Sequence, residues 1–515
     1  MPSGGLSVVH VASEMAPLAK VGGLADVVGA LAREQARRGH RVTVVLPAYR
    51  TLALPEGWSR ERLAGVDVPW GMGRERAGFE RLRPPETDGA GSSLTVLLVE
   101  HAGERRFFDR PGIYDDPKSG EGWPDNAERF LFFARAALEG LKVLGAPVDV
   151  LHCHDQQAAW VPCFARTHEA AAAPFREVAT AFTIHNLGYQ GIYDSWILGL
   201  AGFPRELFYP SSPFEFWGRV NYMKVGLAFA DVLSTVSPRY AQEIQSGGEF
   251  GFGLEGVLAR RKDDLFGILN GIDDEVWNPA SDPHLARRYD ADCLPEKEAN
   301  RAALMKECGF PAAARPPLVG IVSRLVEQKG FDLIEEAQPE LARLDARWVV
   351  LGVGQSRFVD LFRAWHEAHP HRMHYRAGFD EGFAHRIEGS CDFFLMPSRY
   401  EPCGLNQMYS LRYGTVPVVR AVGGLDDTVR NFNARTGQGN GFKFDEYSPQ
   451  ALLNTLRWAL GIFRDRAAWQ RIQREGMTQD FSWDASARQY VKVYEQAIGR
   501  DDGIRKGQDL HRQQL

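Results

Sequence analysis

Leu6-Ser7-Val8-Val9-His10-Val11, then Lys20-Val21-Gly22-Gly23-Leu24, then a helix-like run from Ala25 to Arg38, form the stretch on which the fold turns. It reads as a buried strand, a two-glycine turn and the start of a helix. Adjacent glycines let backbone amides come close to an anion, the helix start adds a partial positive charge, and Lys20 adds a full one. The same turn would also serve as a plain strand-to-helix connection with glycines chosen for packing, so its meaning depends on the rest of the chain.

The βα alternation continues outward from this unit. Short apolar runs at Arg41–Leu46, Leu94–Val99, Val148–His152, Ala179–Ile184 and Val232–Thr235 alternate with helix-like stretches such as Glu128–Leu144, the pattern of a doubly wound parallel α/β sheet. The pattern restarts at Leu318–Val322, Arg347–Leu351, His374–Ala377, Phe393–Met396 and Thr415–Val419, with helical segments around Asp332–Leu344 and Gln407–Arg412. Asn270–Pro317, with its prolines and polar residues, reads as a linker joined to helices. Two Rossmann-like domains facing a deep cleft are therefore expected: 1–264 on the N-terminal side and 265–480 on the C-terminal side. A further helix within 481–501 (Asp484–Ile498, after Phe481-Ser482-Trp483) is expected to return to the first domain, and 502–515 reads as a polar tail.

Composition narrows the class. At 515 residues the chain is too long for one core, and 44% hydrophobic with 24% charged residues is ordinary for a globular protein. A formal net charge of -6 argues against generic nucleic-acid binding. Cys153, Cys163, Cys293, Cys308, Cys391 and Cys403 show neither metal-ligand spacing nor a disulfide framework. With no signal-peptide pattern and no apolar run of spanning length, the expectation is a cytoplasmic protein with no membrane partner. No motif speaks to oligomeric state.

In open parallel sheets ligands bind beyond the carboxyl ends of the strands. Ser323-Arg324-Leu325 and Gln328-Lys329-Gly330 put two cations at one such end, a pair suited to a diphosphate but equally found as solvated surface charges. Pro397 to Leu405 presents Glu401 together with Pro402, Cys403 and Gly404 just before a helix near Asn406. Glu401 could meet sugar hydroxyls or developing positive charge, or it could simply cap that helix. Gly423-Gly424-Leu425 is a second anion-friendly turn, with a plain turn as its alternative. In the first half, His154-Asp155 and Thr183-Ile184-His185-Asn186 end strands on the side of the Lys20 turn. The His152-x-His154-Asp155 cluster also admits a zinc reading, which lacks an accompanying ligand set.

Taken in order, these motifs, with His10-Val11-Ala12-Ser13-Glu14, Asp109-Arg110-Pro111-Gly112 and Asn270-Gly271-Ile272-Asp273, closely resemble bacterial glycogen synthases and plant starch synthases, the retaining GT-B glucosyltransferases of glycosyltransferase family 5. The resemblance spans nearly the whole chain. It implies that Arg324 and Lys329 bind the diphosphate of ADP-glucose and stabilise departing ADP, with Lys20, Gly22 and Gly23 on the other side of the phosphates. It also implies that Glu401 holds the donor glucose, that His185 and Asn270 contact the same sugar, and that Asp26 and Asp155 lie close to it. Phe379 would stack on adenine, and Cys403, Gly404 and Leu405 would line the substrate site. The implied reaction elongates an α-1,4-glucan at its nonreducing 4-hydroxyl; because side-chain cations and helix termini cover the diphosphate, no metal and no other cofactor is expected. Phe108, Gln156 and Val21 depart from residues common in the family, none of them in the charged set. A UDP-glucose enzyme, another acceptor, and a glucan-binding protein without catalysis remain as alternatives.

Overall fold

The computed structural model describes residues 5–85, 93–311 and 315–499; the expected tail at 502–515 lies outside them. Two compact units are present. The first combines the residues up to Val236 with Ala241–Ile268 and the chain from Trp483 onward; the second combines Ser237–Tyr240 with Leu269–Ser482.

In chain order the strands of the first unit are β1 (Ser7–Val11), β2 (Arg41–Pro47), β3 (Ser59–Trp70), β4 (Gly73–Arg83), β5 (Leu94–His101), β6 (Val150–His154), β7 (Ala179–Ile184), β8 (Ile192–Tyr193), β9 (Glu215–Phe216), β10 (Arg219–Asn221), β11 (Val232–Thr235) and β12 (Leu265–Gly267). Nine of them form one sheet in the order β12-β11-β7-β6-β1-β2-β5-β4-β3, while β8, β10 and β9 make a small separate sheet. β1, β6 and β7 are buried along their whole length, as parallel strands covered on both faces must be. Pairing along β2, β1, β6, β7 and β11 is parallel.

The charged hairpin β3–β4 pairs antiparallel and extends the sheet beyond β5. The apolar-run reading does not reach it, because β3 opens with the exposed polar run Ser59-Arg60-Glu61-Arg62 and half of its residues are exposed. β6 runs two residues past the expected end, so His152 and His154 lie inside the strand, and the polar turn begins at Asp155. The helix Trp483–Ile498 buries Trp483, Ala487, Tyr490, Val493, Tyr494 and Ala497. This stripe at helical spacing packs with Val8, Val150, Ala179 and Val232 of the sheet and with Val27 and Leu31 of the helix Gly23–Arg37.

The second unit is a six-stranded, wholly parallel sheet ordered β15-β14-β13-β16-β17-β18. Its strands are β13 (Leu318–Val322), β14 (Arg347–Leu351), β15 (Met373–Arg376), β16 (Phe393–Met396), β17 (Val416–Arg420) and β18 (Phe442–Phe444). Its order reverses between β13 and β16, the topological switch where ligands of such sheets bind. Among the described residues no helix is long and apolar enough to cross a membrane.

Candidate active site

The loops following β13 and β16 meet at that switch. The Arg399 amide donates to the Gln328 carbonyl at 2.9 Å, and the Lys329 ammonium lies 2.5 Å from Glu401 Oε2. Ser398 Oγ donates to the same carboxylate oxygen at 3.1 Å. Glu401 is 5% exposed, so its negative charge is held out of water by a cation and a hydroxyl. Glu401 is not the helix cap: the helix Asn406–Arg412 has Leu405 at its N-cap, with no side-chain cap bond, and the Glu401 carboxylate is bonded to Lys329 and Ser398. Arg324 is exposed on the same loop as Lys329 and enters no ion pair among the described residues. A buried carboxylate with its cation, on a loop that also carries an exposed guanidinium, is an arrangement ready for an anionic ligand that also carries hydroxyls.

Glycines fix the approach of these loops. A Cβ on Gly330, whose φ is +76°, would lie 1.9 Å from the Pro397 carbonyl oxygen. One on Gly423 would lie 2.0 Å from the Glu401 oxygen, and one on Gly424 2.0 Å from that of Cys403. The Gly424 amide points at the Glu401 and Pro402 carbonyls, each at 3.2 Å, so this glycine pair braces the Glu401 loop from behind. Gly404 has φ +72°, and Cys403 is buried, its thiol pushed up to about 12 chiefly by that burial. The thiol sits against Asn270, whose buried side-chain oxygen has no partner. Phe379, beyond β15, is 86% exposed, an aromatic surface that burial in this unit does not explain.

The first unit carries the other residues. The turn after β1 is already partly occupied by protein: Glu14 Oε2 accepts from the Val21 amide at 2.5 Å and from the Gly22 amide at 2.9 Å. Tyr114 donates its hydroxyl to Glu14 Oε1 at 2.6 Å. The Gly23 and Leu24 amides, in the first turn of the helix Gly23–Arg37, have no acceptor among the described residues. Neither Gly22 nor Gly23 is needed for packing, because an added Cβ would meet nothing within 4 Å. Lys20 and Asp26 pair at 2.7 Å on the surface. The sequence position of Glu14, three residues past β1, does not by itself reveal that it fills the turn.

Asp155, the residue after β6, has φ +54°, a strained choice for a residue that is not glycine. Its carboxylate accepts from the His185 amide at 2.7 Å. Burial, opposed by hydrogen bonds from His185 and Asn186, raises its pKa to about 7. His185 Nε2 lies 2.9 Å from His154 Nδ1, and burial lowers the His185 pKa to about 3, leaving a neutral ring. His10, His152 and His154 could in principle surround a metal, their nitrogens lying within 4.8 Å of one another. Every ring nitrogen of the three is already hydrogen bonded, so a metal would have to displace those bonds.

Two doubly wound units with cations, a buried carboxylate and a neutral histidine beyond their strands define a glycosyltransferase of the two-domain GT-B class. Residues 7–260 match the family "Starch synthase catalytic domain" and 310–475 match "Glycosyl transferases group 1". The chain is 46% identical to a glycogen synthase of Koribacter versatilis over 96% of its length and 98% of that protein. It is 42% identical to glycogen synthase 2 of Geobacter sulfurreducens over 96% and 99%. The catalytic domain of starch synthase IV from Arabidopsis thaliana, solved bound to ADP and acarbose, superposes with a TM-score of 0.86 at 35% identity, covering 96% of this chain and all of that one. The chain belongs to the glycogen synthase and starch synthase family of glucosyltransferases.

Proposed function

We propose that this enzyme transfers glucose from ADP-glucose to the nonreducing 4-hydroxyl of an α-1,4-glucan with retention, in the cytoplasm and without a metal or other cofactor. The observation that carries the reading is the Lys329–Glu401 pair at 2.5 Å, with Arg324 exposed on the same loop as Lys329. In this account Arg324 and Lys329 take the diphosphate, and Lys20 with the Gly22–Gly23 turn supplies further phosphate donors. Phe379 stacks on the base. Glu401, Asn270 and His185 hold the glucose, with Asp26 and Asp155 close to it and Cys403, Gly404 and Leu405 lining the site.

As the bond from C1 to the diphosphate oxygen breaks, the cations neutralise the oxygen and Glu401 faces the oxocarbenium-like carbon. The acceptor 4-hydroxyl adds from the side that ADP leaves, and its proton passes to the departing phosphate. The partners of the Glu401 carboxylate, Lys329 and Ser398, fit this better than a double displacement, which pairs two carboxyl groups.

Glu401→Gln and Lys329→Ala test the reading. Glu401→Gln keeps the shape and loses the charge, so turnover should fall on the order of 10²-fold or more with donor affinity nearly kept. Lys329→Ala should lower both. A folded Glu401→Gln enzyme with near-normal ADP release would overturn the role of Glu401. Competition between ADP-glucose and UDP-glucose decides the donor, and loss of activity on chelation with recovery in Mg²⁺ would overturn the metal-free account.

A further inference from the structure

Eight side chains of the first unit form one unbranched run of hydrogen bonds. It passes from Ser234 Oγ to Thr183 Oγ1 at 2.6 Å, from Thr183 Oγ1 to His152 Nε2 at 2.5 Å, and from His152 Nδ1 to the Tyr494 hydroxyl at 2.7 Å. Gln35 joins Tyr494 to His10: its Nε2 is 3.1 Å from the tyrosine oxygen and its Oε1 is 2.8 Å from His10 Nε2. His10 Nδ1 then meets His154 Nε2 at 3.0 Å, and His154 Nδ1 meets His185 Nε2 at 2.9 Å. Seven of the eight residues are buried; His185, the last, is partly exposed beyond β7.

A neutral imidazole has one N–H and one bare nitrogen, so a ring bonded at both nitrogens that donates on one side must accept on the other. Burial keeps all four histidines neutral by lowering their pKa values. From Gln35 through His10 and His154 to His185 the run therefore has one direction. With the Gln35 oxygen facing His10, His10 donates from Nε2 and accepts at Nδ1 from His154, which in turn accepts at Nδ1 from His185. The proton of His185 is then on Nε2, and its Nδ1, which has no partner among the described residues, is bare. Turning the Gln35 amide over would reverse these three bonds and put a donor there instead. Tyr494, 459 residues away in sequence, is the contact that faces the amide nitrogen of Gln35.

We propose that Gln35 and Tyr494 are positioning residues for glucosyl transfer: through this relay the C-terminal helix fixes His185 in the tautomer that offers a bare Nδ1 to a hydroxyl of the donor sugar. The proposal rests on the placement of His185 at the sugar made above. A sugar hydroxyl can donate or accept, so a fixed acceptor selects one orientation of that hydroxyl and with it one seating of the ring. The relay also uses all six nitrogens of His10, His152 and His154, whereas a zinc site would need bare lone pairs converging on one point.

The test uses the full chain labelled with ¹⁵N-histidine, without donor, because protonated and bare ring nitrogens resonate apart. His185→Ala identifies the His185 signals. The wild type should show His185 with a proton on Nε2 alone. Tyr494→Phe, which keeps the ring packed, and Gln35→Met, which interrupts the run at its centre, should each give mixed tautomer signals at His185. Turnover should fall roughly three- to tenfold, the loss of about one neutral hydrogen bond, with donor KM changing less. A wild-type proton on Nδ1, or unchanged His185 signals in both variants, overturns the relay. Altered signals with unchanged turnover keep the relay and instead remove His185 from the sugar.

Discussion

The tetrapeptide Val-Gly-Gly-Leu occurs twice, as Val21–Leu24 in the first unit and Val422–Leu425 in the second, each between a strand and a helix. The glycines are there for opposite reasons. At 22 and 23 an added Cβ would meet open space, while at 423 and 424 it would strike backbone oxygen at 2.0 Å. The first pair leaves room over helix-start amides, which suits an incoming ligand; the second is filled by the protein's own Glu401 loop. Each turn is followed by an aspartate paired with a lysine, Asp26 with Lys20 and Asp426 with Lys443. A shared motif can therefore leave a turn open in one place and brace another loop in the other, and only the neighbours tell them apart.

Gly424→Ala should separate the two most sharply. Its Cβ cannot fit without moving the Cys403 backbone, a strain of about 1–3 kcal/mol. A displacement of Glu401 of about 1 Å would cost on the order of 10²-fold in turnover. Thermal melting and ADP release read both effects. A variant with wild-type activity would mean that the brace does not hold Glu401 in place.

The two units should also respond oppositely to acid. In the first, His10 and His185 have folded pKa values lowered to about 4 and about 3 by burial, and His152 and His154 are lowered well below the usual imidazole value by burial and by neighbouring histidines. The unfolded chain binds more protons between those values and about 6.5, so this stability is full above pH 6.5 and is lost as pH falls through the window. Asp155, raised to about 7, opposes with a single group. In the second unit burial raises Glu388 to about 8, so its contribution is present below the unfolded carboxylate range and is lost as pH rises toward 8. One group shifts stability by up to about 1.4 kcal/mol per pH unit. Amide exchange, corrected for intrinsic rates, should therefore show β1 and β6 losing protection from pH 7 to 5.5 while β13 and β16 do not. Equal losses in both sheets would contradict the contrast.

Gly22→Ala is the counterpart of the first substitution. Gly22 is extended, at φ −142°, with space around it, so alanine should cost less than about 1 kcal/mol. The added methyl should nevertheless raise the donor KM about tenfold if phosphate comes against this backbone. An unchanged KM would make the first turn a plain connection.

Much of this was legible in the sequence because the buried parallel strands are continuous apolar runs and the candidate site residues lie in the loops beyond them: Arg324 and Lys329 follow β13, and Glu401 follows β16. What was not legible depends on distant partners. Glu14 looks like one more polar residue until the fold sets it under the amides of Val21 and Gly22. Gln35 reads as a neutral position in an amphipathic helix, yet the fold seats it between Tyr494 and His10. The hairpin β3–β4 escaped because its exposed charged face breaks the apolar pattern, and the bracing role of Gly423 and Gly424 exists only once the Glu401 loop lies behind them.

The smallest expected effect belongs to Phe379, which has neither a brace nor a relay behind it. At 86% exposure its ring adds little to the core, so Phe379→Ala should leave the melting temperature unchanged. If the ring stacks on adenine, its loss should weaken ADP binding by about 0.5–1.5 kcal/mol, roughly 2- to 12-fold. Turnover at saturating donor should stay near the wild-type value, since stacking on the base is felt alike in the ground and transition states. Calorimetric titration with ADP, compared with a melting curve, separates the two effects. Unchanged ADP affinity would move the base away from β15, and a lowered melting temperature would give the ring a structural role in place of a binding one.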